Sequence, residues 1–116
     1  MGNREDLLAG ARQCLIERGW ARSTVRDIAA AAGVNHAAIG YHFGSREALL
    51  SQALMAAMDE LGDEMARRLD DVEPAQRWQG LIDTFTTHRP LWVAQLEAIA
   101  VAERNDEVRK IGRAHV

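Results

Sequence analysis

Residues Thr24 to Glu47 read T-V-R-D-I-A-A-A-A-G-V-N-H-A-A-I-G-Y-H-F-G-S-R-E. The stretch holds two helix starts, a tight turn and a third helix start, a span too short for anything but a helix-turn-helix. Thr24 is a good N-cap, and Asp27, three residues on, reaches back to its free N–H in an Asp version of the capping box. Ile28, Ala29 and Ala32 make a small apolar stripe, and Gly33 supplies the positive φ at which the helix stops. Val34 fills the corner. Asn35 caps the next helix, which Ala37, Ala38 and Ile39 keep short and slim. A slim helix with an exposed polar N-terminus is what a DNA major groove admits, because its first residues can face the base edges. The turn chemistry alone fits an ordinary helical hairpin equally well.

The continuation separates the two. Tyr41-His42-Phe43-Gly44-Ser45-Arg46-Glu47 ends one helix and caps another. Here the chain resembles the tetracycline-repressor (TetR) family, in which T-hydrophobic-x-x-I-A-x-x-A-G-V-S precedes a short recognition helix and Y-x-H-F-x-S-K-E-x-L-L follows it. Thr24, Ile28, Ala29, Ala32-Gly33-Val34, His42-Phe43, Ser45, Glu47 and Leu49-Leu50 stand in register. The family's usual Tyr falls on Gly40. Tyr41 is in register with a variant branch that reads A-I-x-Y-H-F-G-S-K-E, Arg46 stands where Lys is commoner, and Ala37 replaces a frequent Gly.

The resemblance implies an all-α fold, with a helix-turn-helix head over residues 1–47 and a partial ligand-binding and dimerisation body over 48–116. It implies a DNA-binding transcriptional regulator, usually a repressor. In the full-length protein two heads of a homodimer would sit on a palindromic operator in double-stranded DNA, and an unknown small-molecule effector would bind the body. The implied DNA-facing set is Thr24, Arg26, Asn35, His36, Ala37, Gly40, Tyr41, His42, Ser45 and Arg46. Asn35, His36 and Ala37 would read bases, while Arg26, Tyr41, Arg46 and the N-terminus of the fourth helix at Ser45 would hold phosphates. Two residues have other readings. Arg26 can pair with Asp27 or Glu17, and His42 can pack at the end of the recognition helix.

Upstream, residues 4–18 read as the first helix, with Leu7, Leu8, Ala11, Cys14 and Leu15 on one face and Arg4, Glu5, Arg12 and Glu17 on the other. Gly19 ends it, and Trp20 folds back onto the head's core. Downstream, a long helix capped by Ser45 carries a stripe of Leu49, Leu50, Ala53, Leu54, Ala57, Met58, Leu61, Met65 and Leu69. By resemblance this helix is the lever between head and body. Asp70-Asp71-Val72-Glu73 breaks it. Pro74 then opens a fifth helix with Trp78, Leu81, Ile82 and Phe85 as its apolar face, and Pro90 opens a sixth with Trp92, Val93, Leu96, Ile99 and Ala100. Trp78, Phe85, Trp92 and Leu96 are candidate lining of an effector pocket, or they simply fill the core.

Composition agrees with a helical domain of 116 residues that is 47% hydrophobic with two prolines. Its net charge of −3 divides into +1 over residues 1–47 and −4 over 48–116, so the acidic excess lies outside the head. The apolar runs are too short to span a bilayer and the N-terminus lacks a secretory segment, which makes a cytoplasmic protein the expectation. Cys14, the single cysteine, reads as a small apolar core residue. The histidines at 36, 42, 88 and 115 have no metal spacing, and there is no activated Ser or Cys arrangement and no phosphate-cradling glycine loop. The expectation is therefore no enzyme, no metal and no cofactor. From a different class, the rival reading is a helical interaction module without DNA binding, acting through the stripe of the fourth helix.

Residues 105–109 look like the start of a seventh helix. Ile111-Gly112-Arg113-Ala114-His115-Val116 is the translation of ATC-GGA-AGA-GCA-CAC-GTC, a string common in sequencing-library adapters. The expectation is that native sequence ends within Lys110 and that the chain is an N-terminal fragment, a little over half of a family member.

Overall fold

The computed structural model describes residues 3–104 and residue 110, and among these it is all helical, with short turns between helices. The expected seventh helix and the adapter-like residues 111–116 lie outside the described residues. Helix α1 (Asn3–Arg18) buries Leu7, Gly10, Ala11, Cys14 and Leu15, the stripe that helical spacing predicts with Gly10 added. Gly19 stops it at φ 84°, and Trp20, only 3% exposed, turns back into the core.

Helix α2 (Val25–Ala32) begins with the capping box read from the sequence. The Asp27 N–H donates to Thr24 Oγ1 at 3.1 Å, and the Thr24 N–H donates to Asp27 Oδ2 at 3.3 Å. Hydrogen bonding to the Asp27 carboxyl, first from the Thr24 hydroxyl and then from the Thr24 backbone N–H, holds it below its usual range. A carboxyl lowered in the folded state adds stability that is present above its unfolded pKa and lost as pH falls through the folded one. Acid titration followed by circular dichroism should therefore show α2 weakening below the ordinary Asp range, and Asp27→Asn should flatten that dependence. Identical titrations for the two proteins would remove the box from the account of stability.

At the other end of α2, Gly33 takes φ 72°, and its N–H and that of Val34 both donate to the Ala29 carbonyl, at 2.9 and 3.1 Å. Helix α3 (Ala37–Phe43) starts one residue later than the Asn35 cap implies, with His36 at its boundary. Its opening turn is tight, because the Ala38 N–H bonds to the Asn35 carbonyl and the Ile39 N–H to that of His36. Asn35 still caps: its Oδ1 accepts the Ala37 N–H at 2.8 Å. Helix α4 (Arg46–Asp70) follows, its Ser45 Oγ accepting the Ala48 N–H at 3.1 Å.

One core cluster joins all of this. Leu7, Leu15, Trp20, Ile28 and Ile39 of the first three helices and their turns pack with Leu49, Leu50, Leu54 and Ala57 of α4. The α4 stripe is buried from Leu49 to Leu61, apart from half-buried Met58, whereas Met65 and Leu69 are only half covered. A module acting through that stripe thus loses its surface.

Helices α5 (Pro74–Thr87) and α6 (Arg89–Ala102) correct the sequence reading. Pro74 opens α5 as expected, but Arg89 rather than Pro90 is the first residue of α6. No residue of α5 is buried, and Trp78, Ile82 and Phe85 are exposed. In α6 the buried residues are Leu91 and Ala94, with Ala98, Val101 and Ala102 packed beside them, while Val93, Leu96, Ile99 and Ala100 face outward. The reason is that α6 is apolar nearly all round, so periodicity cannot select a face. Contact with α1 and α4 selects it instead.

Candidate nucleic-acid interface

Helix α3 is short enough that each of its residues has one clear side. Ile39 is buried, and Ala38, Val34 and Phe43 pack against the head's core. That anchors one face. His36, Ala37, Gly40 and Tyr41 fall on the other, and all four are exposed. Residues 37, 40 and 41 follow the i, i+3, i+4 pattern, so they share one strip of surface. Tyr41 is 85% exposed, its ring set edge-on to His42 at 4.8 Å between centroids. His42 itself is half-buried between Tyr41 and Phe43, which favours its packing role.

Asn35 stands at the end of this strip. Its Oδ1 is committed to the cap, and its Nδ2 has no partner among the described residues. Gly40 is informative for a different reason. A Cβ built there would meet nothing within 4 Å, so nothing inside the chain requires glycine at this point of the helix. A glycine within a helix costs about 0.5–1 kcal/mol relative to alanine.

The charged residues divide differently from the sequence reading. Arg26 is exposed and has no ion-pair partner among the described residues. Asp27 instead faces Arg18 at 3.8 Å, and Glu17 accepts from Gln13. Of its three readings, Arg26 takes the outward one. Arg46 does the opposite. Its Nε donates to the Ser23 carbonyl at 2.6 Å, one terminal nitrogen donates to the Trp20 carbonyl, and the other pairs with Glu47 at 2.7 Å. With 19% of its side chain exposed, Arg46 serves the head's interior and is not turned to the surface. Ser45 is likewise spent on its cap, and Thr24 combines its cap with an exposed position.

Sequence reasoning missed Arg22. It lies exposed in the turn before α2, with no ion pair among the described residues. The signal was available: an Arg two residues before the Thr that opens a helix has no helical face to hold it down.

The four candidate effector residues come together only in part. Phe85 and Trp92 meet with their rings tilted by 44° and 4.6 Å between centroids, but Trp78 and Leu96 are 70% and 67% exposed. The groove between α4 and α5, about 420 Å³, is lined by Met65, Arg68, Leu69, Val72, Gln76, Gln79, Gly80, Asp83 and Thr84, and so by none of the four. Trp92 Nε1 is buried without a hydrogen-bond partner among the described residues. No group of three or more His, Cys, Asp or Glu side chains that could hold a metal occurs among the described residues. No described helix is long and apolar enough to cross a membrane.

Comparison with known proteins matches residues 7–53, which contain α2, α3 and the turns around them, to the family of bacterial regulatory proteins named for tetR. Residues 7–53 are thus a TetR-family helix-turn-helix segment. An HTH-type transcriptional repressor of Mycobacterium tuberculosis is 35% identical over 77 residues, 66% of this chain and 39% of its own length. The HTH-type transcriptional regulator TtgR of Pseudomonas putida is 38% identical over 74 residues, 61% of this chain and 35% of its own. The HTH-type transcriptional repressor KstR2 of Rhodococcus jostii is 40% identical over 60 residues, 52% of this chain and 29% of its own. The matched segment is thus well under half of each relative. The family model's own match, residues 7–53, runs from α1 into the first turns of the long helix α4.

Proposed function

We propose that the intact protein is a transcriptional regulator, a repressor in the usual TetR manner, that binds duplex DNA through α3. The observation that carries this is the two-faced recognition helix. Ile39 fixes one side in the core, while Ala37, Gly40 and Tyr41 present a slim exposed strip with Asn35 at its leading end. In this reading Asn35, His36 and Ala37 meet base edges, and Gly40 lets a DNA backbone approach the helix closely. Arg22, Arg26, Thr24 and Tyr41 hold phosphates, and Arg46 holds the head together. The names of the relatives, repressors and regulators of the helix-turn-helix type, support the same reading.

The finer parts extend the proposal. The head ends near residue 47, and the rest forms part of a regulatory body. Two copies in a cytoplasmic homodimer would present two heads to a palindromic operator, about one helical turn apart. The exposed apolar face of α5 and α6, with Trp78, Ile82, Phe85, Val93, Leu96 and Ile99, is where further body structure would pack. An effector held near Phe85 and Trp92 would shift the population of DNA-competent heads.

Fluorescence anisotropy with a mixed-sequence DNA duplex tests the core of this. Affinity should fall linearly on a log–log salt scale, and Arg22→Ala and Arg26→Ala should each lower the slope by about one. Gly40→Ala gives two opposite signs. The head should gain about 0.5–1 kcal/mol from helix propensity, yet bind duplex several-fold more weakly. A chain that binds no duplex at low salt, or whose binding ignores all three substitutions, would falsify the proposal.

A further inference from the structure

We infer that Glu97 is a positioning residue that ties the body to the TetR head through the turn between α1 and α2. Glu97 lies on α6, on the side turned toward α1, where Leu91 and Ala94 join the same core as Leu15 and Trp20. Its carboxylate reaches across to that turn. The Trp20 N–H donates to Oε1 at 3.0 Å, and the Ala21 N–H donates to Oε2 at 3.4 Å, across sequence separations of 77 and 76.

Gly19 makes room for this. A Cβ there would lie 2.8 Å from Glu97 Oε1, so the residue that reverses the chain at φ 84° is also the one that admits the carboxylate. The turn is gripped from both sides. Glu97 takes its N–H groups, while Arg46, the first residue of α4, takes the carbonyls of Trp20 and Ser23. Ser23 closes the loop on itself, its Oγ donating to the Gly19 carbonyl at 2.7 Å.

The body therefore meets the head in more than the covalent run of α4. Leu91 and Ala94 of α6 pack into the shared core, and beside that apolar contact the Glu97 clasp is a directional link that bypasses α4 and ends at the turn before α2. Hydrogen bonds weaken steeply with distance, and the Ala21 bond is already long, so a displacement of α6 by about 1 Å separates the carboxylate from the turn. A rigid helix pair with one engaged and one released state can set the angle of the head relative to the body. Its regulatory meaning rests on the DNA-binding reading, but the clasp can be tested without DNA, so failure of either is distinguishable from failure of the other.

The test uses the full chain with Cys14→Ala, carrying spin labels at Ala30→Cys on α2 and Ala100→Cys on α6, both exposed positions. The parent should give a narrow distance distribution between the labels, and Glu97→Gln, which keeps the side-chain volume, should broaden it. Amide exchange by NMR should show Trp20 and Ala21 protected in the parent and Arg22, whose N–H has no partner among the described residues, unprotected. Glu97→Gln, whose amide keeps one acceptor oxygen and no charge, should speed exchange at Trp20 and Ala21 about tenfold, since one bond is lost and the other is no longer charge-assisted, and leave Ile28 and Ile39 unchanged. An equally narrow distribution in the variant overturns the inference. So does a rise in exchange spread evenly over the head, or unprotected Trp20 and Ala21 in the parent, a result that needs no variant to fold.

Discussion

Arg46→Met is expected to destabilise the head by about 2–3 kcal/mol and to lower its melting temperature by roughly 10–20 °C. Three groups of the Arg46 side chain are engaged at once, with the carbonyls of Ser23 and Trp20 and the carboxylate of Glu47. A methionine fills similar space but leaves the Ser23 carbonyl without its Arg46 donor and the Trp20 carbonyl with only the long bond from the Ser23 N–H at 3.3 Å, and Trp20 and Ser23 are themselves buried. Hydrogen bonds from a charged donor contribute more than neutral ones, and an acceptor stripped of its partner costs more than the bond contributed. The partial exposure of the guanidinium lets water recover part of this, which keeps the estimate below the sum of three bonds. Arg46→Lys discriminates further. A single ammonium cannot fork across two carbonyls and a carboxylate, so lysine should recover less than half of the loss. At a plain phosphate contact lysine would serve nearly as well. Thermal denaturation of the three proteins, read beside their salt-dependent DNA affinity, decides the matter. If Arg46→Met melts with the parent but has a salt slope smaller by about one, Arg46 is a phosphate contact after all.

Gly10→Val is expected to destabilise the head by about 1–3 kcal/mol, in defiance of helix propensity. Gly10 lies in the middle of α1, where propensity favours almost any other residue. A Cβ there, however, would stand 2.9 Å from the Ala32 backbone N, 3.0 Å from the Ala32 Cβ and 3.0 Å from the Ile28 carbonyl. The obstacle is mostly main chain, which cannot swing aside as a flexible side chain does. Helices α1 and α2 cross at this glycine, and they are the most closely joined pair in the molecule's described part. Gly10→Ala isolates the contest, because it adds the favourable propensity and only the single clashing carbon. Its melting temperature should still fall. A rise would mean that α2 can slide outward at little expense, and the tight crossing would then be a preference and not a requirement.

Much of the head was legible from local chemistry. Thr24 with Asp27, Gly33 at positive φ and Ser45 with the Ala48 N–H act over three or four residues, so each can be read where it stands. Asn35 was legible as a cap, though the tight opening turn moved the helix boundary to His36. The outward face of α3 followed, since burying Ile39 leaves Ala37, Gly40 and Tyr41 no other direction. The hydrogen bonds of Arg46 were not legible in the sequence, for a physical reason. Its long side chain can reach solvent or the carbonyls of a turn 23 and 26 residues earlier, and nothing local chooses between them.

The sequence by itself determined that the described residues form helices, where the helix-turn-helix is capped and turns, and which family that segment resembles, because capping and helical periodicity are short-range. Only the tertiary structure decided that Gly10 is a crossing point, that α6 buries Leu91 and Ala94 and not its Leu96 side, and that Glu97 reaches the turn at Trp20. Each of these depends on which surface of one helix meets another. A helix apolar all round, or a glycine on an otherwise ordinary stripe, carries no local mark of the neighbour it will meet.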